Sequence, residues 1–179
     1  MIFLIKTPKH RIILSLRGTQ SMIDVLYDLD IEPVPYQDGF IHKGMLTGAR
    51  NIISSVGHDI DHLVKDYPKY KLIATGISLF FFLSSLGHSL GGGFASIFGL
   101  LEKARYPHLQ CYCYAPPSCM SDTLAEQLEP YVFSIINNYD VVPRINTKAL
   151  HQYKEELEKL DLNTLRVSLF HFFILLHRM

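Results

Sequence analysis

The stretch Gly87-His88-Ser89-Leu90-Gly91-Gly92-Gly93 decides how this chain reads. It follows a β-type run and opens onto Phe94-Ala95-Ser96-Ile97, so it has the form of a strand turning sharply into a helix. A Gly-x-Ser-x-Gly pattern suits a reactive serine for steric reasons: on so tight a turn, the neighbours must lack side chains that would clash. The helix that follows has unpaired amide donors at its start, and the Leu90 N–H can point at a developing oxyanion. An unreactive serine in a glycine-rich loop is the alternative reading.

A serine nucleophile needs a base and an acid that orients it. Asp140 stands just past the β-type run Val132–Ile136, in Asn137-Asn138-Tyr139-Asp140-Val141-Val142-Pro143-Arg144. An acid beyond a strand's carboxyl end is where such a site requires one. The competing roles for Asp140 are a turn-forming residue or an ion-pair partner of Arg144.

Outward from these residues the pattern alternates between strand and helix. Ile2–Lys6 and Arg11–Leu16 flank Thr7-Pro8-Lys9-His10 as a hairpin, and Ser21–Leu29 reads as a short helix with Ser21 and Asp24 at capping-box spacing. Glu32–Gly39, with Pro33 and Pro35, is expected to be a loop. Leu46, Ala49, Ile53, Val56, Ile60 and Leu63 recur at helical spacing, which predicts a helix over Gly44–Asp66 ended by Pro68. Lys71–Thr75, Leu109–Tyr114 and Val132–Ile136 read as strands; Gly92–Arg105, Thr123–Leu128 and Ile145–Leu160 read as helices. That order predicts an α/β fold, a mostly parallel sheet with helices on both faces.

The bulk properties narrow the function. The chain has 179 residues and a formal net charge of zero, which gives no electrostatic footprint for nucleic acid. Its residues are 48% hydrophobic, which suits an apolar ligand or a membrane neighbour. The three cysteines, at 111, 113 and 119, match no zinc spacing and read as buried free thiols, so a reducing compartment is expected. The apolar run Met1–Ile5 is too short for a signal peptide. Ile77–Leu86 and Val167–Leu176 fall below the roughly 20 residues of a spanning helix, so no transmembrane segment is expected.

Several pieces together resemble the class 3 lipases, most closely the catalytic domain of sn-1-specific diacylglycerol lipases. They are Ile12-Ile13-Leu14-Ser15-Leu16-Arg17-Gly18-Thr19, His42-Lys43-Gly44-Met45, the serine motif, Tyr114-Ala115-Pro116-Pro117, and Asp140-Val141-Val142-Pro143-Arg144-Ile145. They occur in the family's order across most of residues 2–165. The resemblance implies an α/β-hydrolase fold, with Ser89 as nucleophile, Asp140 as triad acid, and Thr19 as an oxyanion donor beside the Leu90 amide. It implies hydrolysis of a diacylglycerol-like lipid to a fatty acid and a monoacylglycerol, with no metal or other cofactor. It further implies association with the cytoplasmic face of a membrane, since full-length diacylglycerol lipases carry a membrane-spanning region. Family members have a lid after the oxyanion residue, a slot filled here by Ser21–Leu29; a lid and ordinary core packing are both open for that helix. His42 and Lys43 match the family but read only as a loop contact.

The chain departs from the family twice. In the family the strand runs directly into the elbow as Thr-Gly-His-Ser, whereas here residues 77–87 separate Gly76 from His88. Leu79–Leu83 is apolar enough to replace Lys71–Thr75 as the central strand. The family's histidine lies well downstream of the aspartate, and His151, His171 and His177 do not match its context. The expected organisation is therefore a lipase domain over 1–166 with an atypical insert at 77–87, an atypical apolar tail at 167–179, and a truncated C-terminus. Both atypical segments read as translated introns. The rival to a working hydrolase is a non-catalytic, lipase-like fragment that binds lipid or a protein partner.

Overall fold

Successive strands of the main sheet bury one set of alternating side chains and leave the other partly open. The structure, a computed structural model, describes residues 2–17, 33–77, 89–140 and 142–144, together with Gln152 and Glu156. Strands β1 (Ile2–Thr7) and β2 (Arg11–Arg17) form the expected antiparallel hairpin, with Ile2 opposite Leu16 and Thr7 opposite Arg11. Strands β5 (Lys71–Ile77), β6 (Gln110–Tyr114) and β7 (Val132–Ile135) then add in parallel, giving the order β1-β2-β5-β6-β7. Lys71–Ile77 thus holds the central place, bonded to β2 on one side and β6 on the other. The alternative of Leu79–Leu83 as the central strand is corrected: the neighbours on both sides of that strand are already matched by Lys71–Ile77. Residues 79–83 themselves lie outside the described residues.

Helix α1 (Lys43–Asp66) and helix α2 (Ser89–Glu102) close over one face of this sheet. Ile12, Leu14 and Leu16 of β2, Leu72 and Ala74 of β5, and Cys111 and Cys113 of β6 all point into that side. They meet Ile60 of α1 and Ala95 and Phe98 of α2 in one buried cluster. Burying side chains such as Phe98 and Ile60 contributes roughly 1.5–3 kcal/mol each. Helix α1 starts one residue before its expected boundary and ends at Asp66, where the Tyr67 N–H still bonds the Leu63 carbonyl and Pro68 prevents continuation. Among the described residues both long helices lie on this face, while Phe3, Ile5, Tyr114, Phe133 and Ile135 on the other remain partly exposed.

The segment expected to be a loop over Glu32–Gly39 is instead mostly a two-stranded ribbon. Strands β3 (Pro33–Tyr36) and β4 (Gly39–His42) pair antiparallel around Gln37-Asp38, with Gln37 at φ 50°. Pro33 and Pro35 face outward, and Val34 and Tyr36 are half-buried. Proline is tolerated here because a short edge ribbon has no ladder to break on its outer side. A bridge between Ile41 and Met120 ties the ribbon to the segment before helix α3 (Asp122–Leu128). A second cluster forms there, with Ile41, Met45, Leu46, Leu90, Ile97, Cys119 and Leu124.

Other boundaries agree to within a few residues. Helix α2 begins at Ser89 and ends at Glu102, about one turn earlier at each end than the expected Gly92–Arg105. The short helix α3 and strand β7 fall where the pattern places them. Of the expected helix Ile145–Leu160, only Gln152 and Glu156 are described, both helical. Ser21–Leu29 and 167–179 lie outside the described residues.

Candidate active site at the carboxyl edge of the sheet

The parallel strands β2, β5, β6 and β7 all end on the same edge, at Arg17, Ile77, Tyr114 and Ile135. This edge receives the start of α2. Gly76, near the end of β5, pairs with Leu16 and Cys113 and lies directly against the first turn of the helix. A Cβ on Gly76 would overlap the Gly91 carbonyl and the Gly92 nitrogen. On the other side of the contact, a Cβ on Gly92 would come within 2.8 Å of the Tyr114 carbonyl oxygen and 3.2 Å of the Pro116 Cα. Glycines thus allow the helix start to rest on the ends of β5 and β6 with backbone against backbone. None of these glycines has a positive φ, so close approach and not unusual backbone geometry explains them.

Ser89 is the first residue of α2, and Leu90, buried at 5% relative exposure, is the second. The first amides of a helix lack intrahelical acceptors, so the Leu90 N–H belongs to the group that can serve an anion. Below them, the Ser96 hydroxyl donates to the Gly92 carbonyl at 2.8 Å and lies 3.5 Å from the Cys113 sulfur. The thiols of Cys111, Cys113 and Cys119 are free and buried, as expected. Burial pushes Cys113 up to about 11 and Cys119 up to about 12, so these thiols stay protonated and inert.

Asp140 sits beyond the end of β7 on the same edge, in a braced turn. Its N–H bonds the Asn137 carbonyl at 3.0 Å, and its Oδ1 accepts from the Val142 N–H at 3.0 Å. Arg144, in the short 3-10 turn Val142–Arg144, donates to the backbone carbonyls of Asp140 and, at 3.3 Å, Asn138. Asp140 is therefore turn-forming in its own right, and the Arg144 contacts brace the loop backbone around it. Ile135, Ile136 and Tyr139, leading up to Asp140, are exposed, Tyr139 at 78%.

The sequence expectations divide accordingly. Ser89, Leu90 and Asp140 belong to elements ending or starting at one edge of the sheet; Thr19, His88 and His151 lie outside the described residues. His42 acquires a role that its motif did not reveal. It ends β4 and caps α1, its Nδ1 accepting from the Met45 N–H at 3.3 Å while its own N–H bonds the Cys119 carbonyl at 2.9 Å. Position before a helix is the signal that could have found it, although histidine is not a favoured cap.

The sequence model of the family described as Lipase (class 3) matches residues 13–79 and 82–150. The chain belongs to the class 3 lipase family. The break in the match, at residues 80 and 81, falls inside the segment 77–87 that separates strand from motif. Diacylglycerol lipase-beta of Mus musculus is 29% identical over 164 residues, covering 87% of this chain and 23% of the relative. The triacylglyceride lipase of Rhizomucor miehei is similar in structure, with a TM-score of 0.68, 22% identity and coverage of 83% of this chain and 56% of that one. A triacylglycerol lipase whose catalytic centre is described as a serine protease triad gives a TM-score of 0.68 and 22% identity, covering 83% of this chain and 57% of that one. This class 3 lipase chain thus spans less than a quarter of the curated relative and somewhat over half of the fungal lipases, with which it shares the α/β-hydrolase fold.

Proposed function

We propose that this chain carries acyl-ester hydrolase chemistry directed at lipids, with Ser89 as nucleophile, Asp140 as triad acid, and Thr19 and the Leu90 amide as oxyanion donors. The observation that carries the reading is the contact between Gly76 and the Gly91–Gly92 backbone, which seats the Ser89 end of α2 on the carboxyl edge of the central strand. The Ser89 hydroxyl proton passes to a general base, a role the family gives to a histidine downstream of the acid. The serine oxygen attacks the ester carbonyl and the amides hold the resulting oxyanion. Its collapse breaks the ester C–O bond, and the departing alcohol takes the proton from the base. Water then hydrolyses the acyl-serine, releasing the fatty acid and restoring the Ser89 hydroxyl. Likeness to the diacylglycerol lipase of mouse supports a diacylglycerol-like substrate that leaves a monoacylglycerol. The exposed Ile135, Ile136 and Tyr139 beside Asp140 suit an acyl chain or a membrane surface; the resemblance to diacylglycerol lipases is what suggests its cytoplasmic face. Among the described residues no helix is long and apolar enough to cross a membrane.

A fluorophosphonate probe tests the reading on the purified chain. Labelling that is lost in Ser89→Ala supports the nucleophile. A folded chain that takes up no label supports instead the rival, a lipase-like protein that binds lipid or a partner without turnover.

A further inference from the structure

On the exposed side of α1, His58 and His62 stand one helical turn apart with their Nε2 atoms 3.2 Å from each other. The rings meet edge-on, with centroids 4.4 Å apart and planes at 73°. Two imidazole nitrogens at this separation need something between their lone pairs: either one shared proton or one cation. Zinc–nitrogen bonds of about 2.0–2.1 Å at tetrahedral angles place two ligand nitrogens about 3.3 Å apart. A square-planar or octahedral arrangement with bonds of that length places adjacent ligand nitrogens at about 2.9 Å. The spacing in α1 lies between the two, so the pair has the nitrogen–nitrogen separation of a metal chelate.

The surroundings fit as well. The Asp59 carboxylate is 4.0 Å from His58 Nδ1, on the ring edge away from the paired nitrogens; this is beyond hydrogen-bond reach, but its charge favours a cation at the pair. The side chains of His58 and Asp59 are 84% and 70% exposed, which leaves room for water to complete a coordination shell. Asp61, within the same turn, is committed elsewhere, accepting from Tyr106 Oη at 2.7 Å and pairing with Arg105. Among the described residues no cluster of three or more His, Cys, Asp or Glu forms a closed metal site. An ion held by this pair would therefore have two protein nitrogens, with water completing its shell.

We propose that His58 and His62 form a surface chelate for a borderline divalent transition ion, of the class of Zn2+, Ni2+ or Cu2+. Imidazole pairs select these ions over Mg2+ and Ca2+, which prefer oxygen. The ion would clip together successive turns of α1 opposite Ile60, which is fully buried against the sheet. The site is independent of the hydrolase chemistry and stands or falls without it.

Titration calorimetry of the whole chain with Ni2+ tests the proposal, on the wild type and on His58→Ala, His62→Ala and the exposed control His108→Ala. Both chelate positions are exposed, and circular dichroism confirms that each variant is folded. The expected result is one ion per chain that excess Mg2+ does not displace. Its affinity should fall at least tenfold in either chelate variant, since loss of even a group behind a metal ligand costs about 10–100-fold, and hold in His108→Ala. Absence of Ni2+ binding by the wild type overturns the proposal. So does wild-type affinity in either chelate variant, or an equal loss in His108→Ala.

Discussion

Replacing Gly76 by alanine tests the contact on which the active-site reading rests. The new methyl group would overlap the Gly91 carbonyl and Gly92 nitrogen, and neither can rotate aside because both are helix backbone. Overpacking a tight site costs about 1–3 kcal/mol, and the rigidity of these neighbours puts Gly76→Ala at the upper end, about 3 kcal/mol. The stiffer unfolded chain offsets about 0.4–1 kcal/mol of this. The net loss of about 2 kcal/mol lowers the melting temperature by roughly 4–8 °C in a chain of this size. Gly57→Ala is the matched control. It lies inside α1, where the added Cβ meets nothing closer than Arg105 Nη1 and Ile53 Cγ2, both at 3.9 Å. There the methyl group removes a helix-disfavouring glycine and stabilises by about 0.5–1 kcal/mol. Thermal unfolding followed by circular dichroism should move the two variants in opposite directions. If the chain labels at Ser89, Gly76→Ala should also slow labelling about a hundredfold, because relieving the overlap displaces the helix start by roughly 1 Å. A Gly76→Ala protein that melts at or above the wild type refutes the reasoning.

Two further outcomes follow from buried groups. The thiols of Cys111, Cys113 and Cys119 are buried and their ionisation is suppressed, so Ellman's reagent should find none reactive in the folded chain and three after denaturation. Glu102, at 8% exposure, has its carboxyl held above the ordinary 4.5 chiefly by burial, with Arg105 acting in the opposite direction. The folded state therefore holds the Glu102 proton more tightly than the unfolded state, and this contribution to stability declines as pH rises from 4.5 through the raised value. Urea unfolding should show Glu102→Gln gaining on the wild type at pH 7 relative to pH 4; an equal difference at both values would count against it.

Elements with strong periodicity were legible without the structure. The amphipathic stripe of α1 and the Cys111–Cys113 alternation of β6 follow from local repeats, and each element lies within a residue of its expected span. The ribbon β3–β4 was not legible, because Pro33 and Pro35 argue locally for a loop. What holds the ribbon is distant in sequence: the Ile41–Met120 bridge and the Phe40 N–H bond to Ser121 Oγ at 3.2 Å. The start of α2 was misjudged for a similar reason. The expected helix already took in Gly92 and Gly93; the turn it missed, Ser89-Leu90-Gly91, rests against the end of a strand distant in sequence, with the Gly91 carbonyl against Gly76. At the site, the order of Ser89 and Asp140 was readable from motif and strand pattern. The Asx-type turn at Asp140 and the capping role of His42 depend on geometry that residue identities alone do not specify.

The separation of strand from serine motif by residues 77–87 raises the question of how the two meet at all. A longer connection acts on the unfolded chain, and its closure entropy grows only with the logarithm of length, about 0.6 kcal/mol per doubling. Lengthening a tight turn to the connection present here thus costs on the order of 1–2 kcal/mol. Against this stand the fully buried Ala95, Ile97 and Phe98 of α2, of which the two large side chains contribute roughly 1.5–3 kcal/mol each. These side chains lie in the buried clusters shared with the sheet, α1 and α3. The helix is therefore placed by its packing, and Gly76 admits its first turn to the strand end whatever length of chain leads there. The placement of the α2 start at the carboxyl edge follows from those buried contacts, which is why an interrupted motif is compatible with that placement.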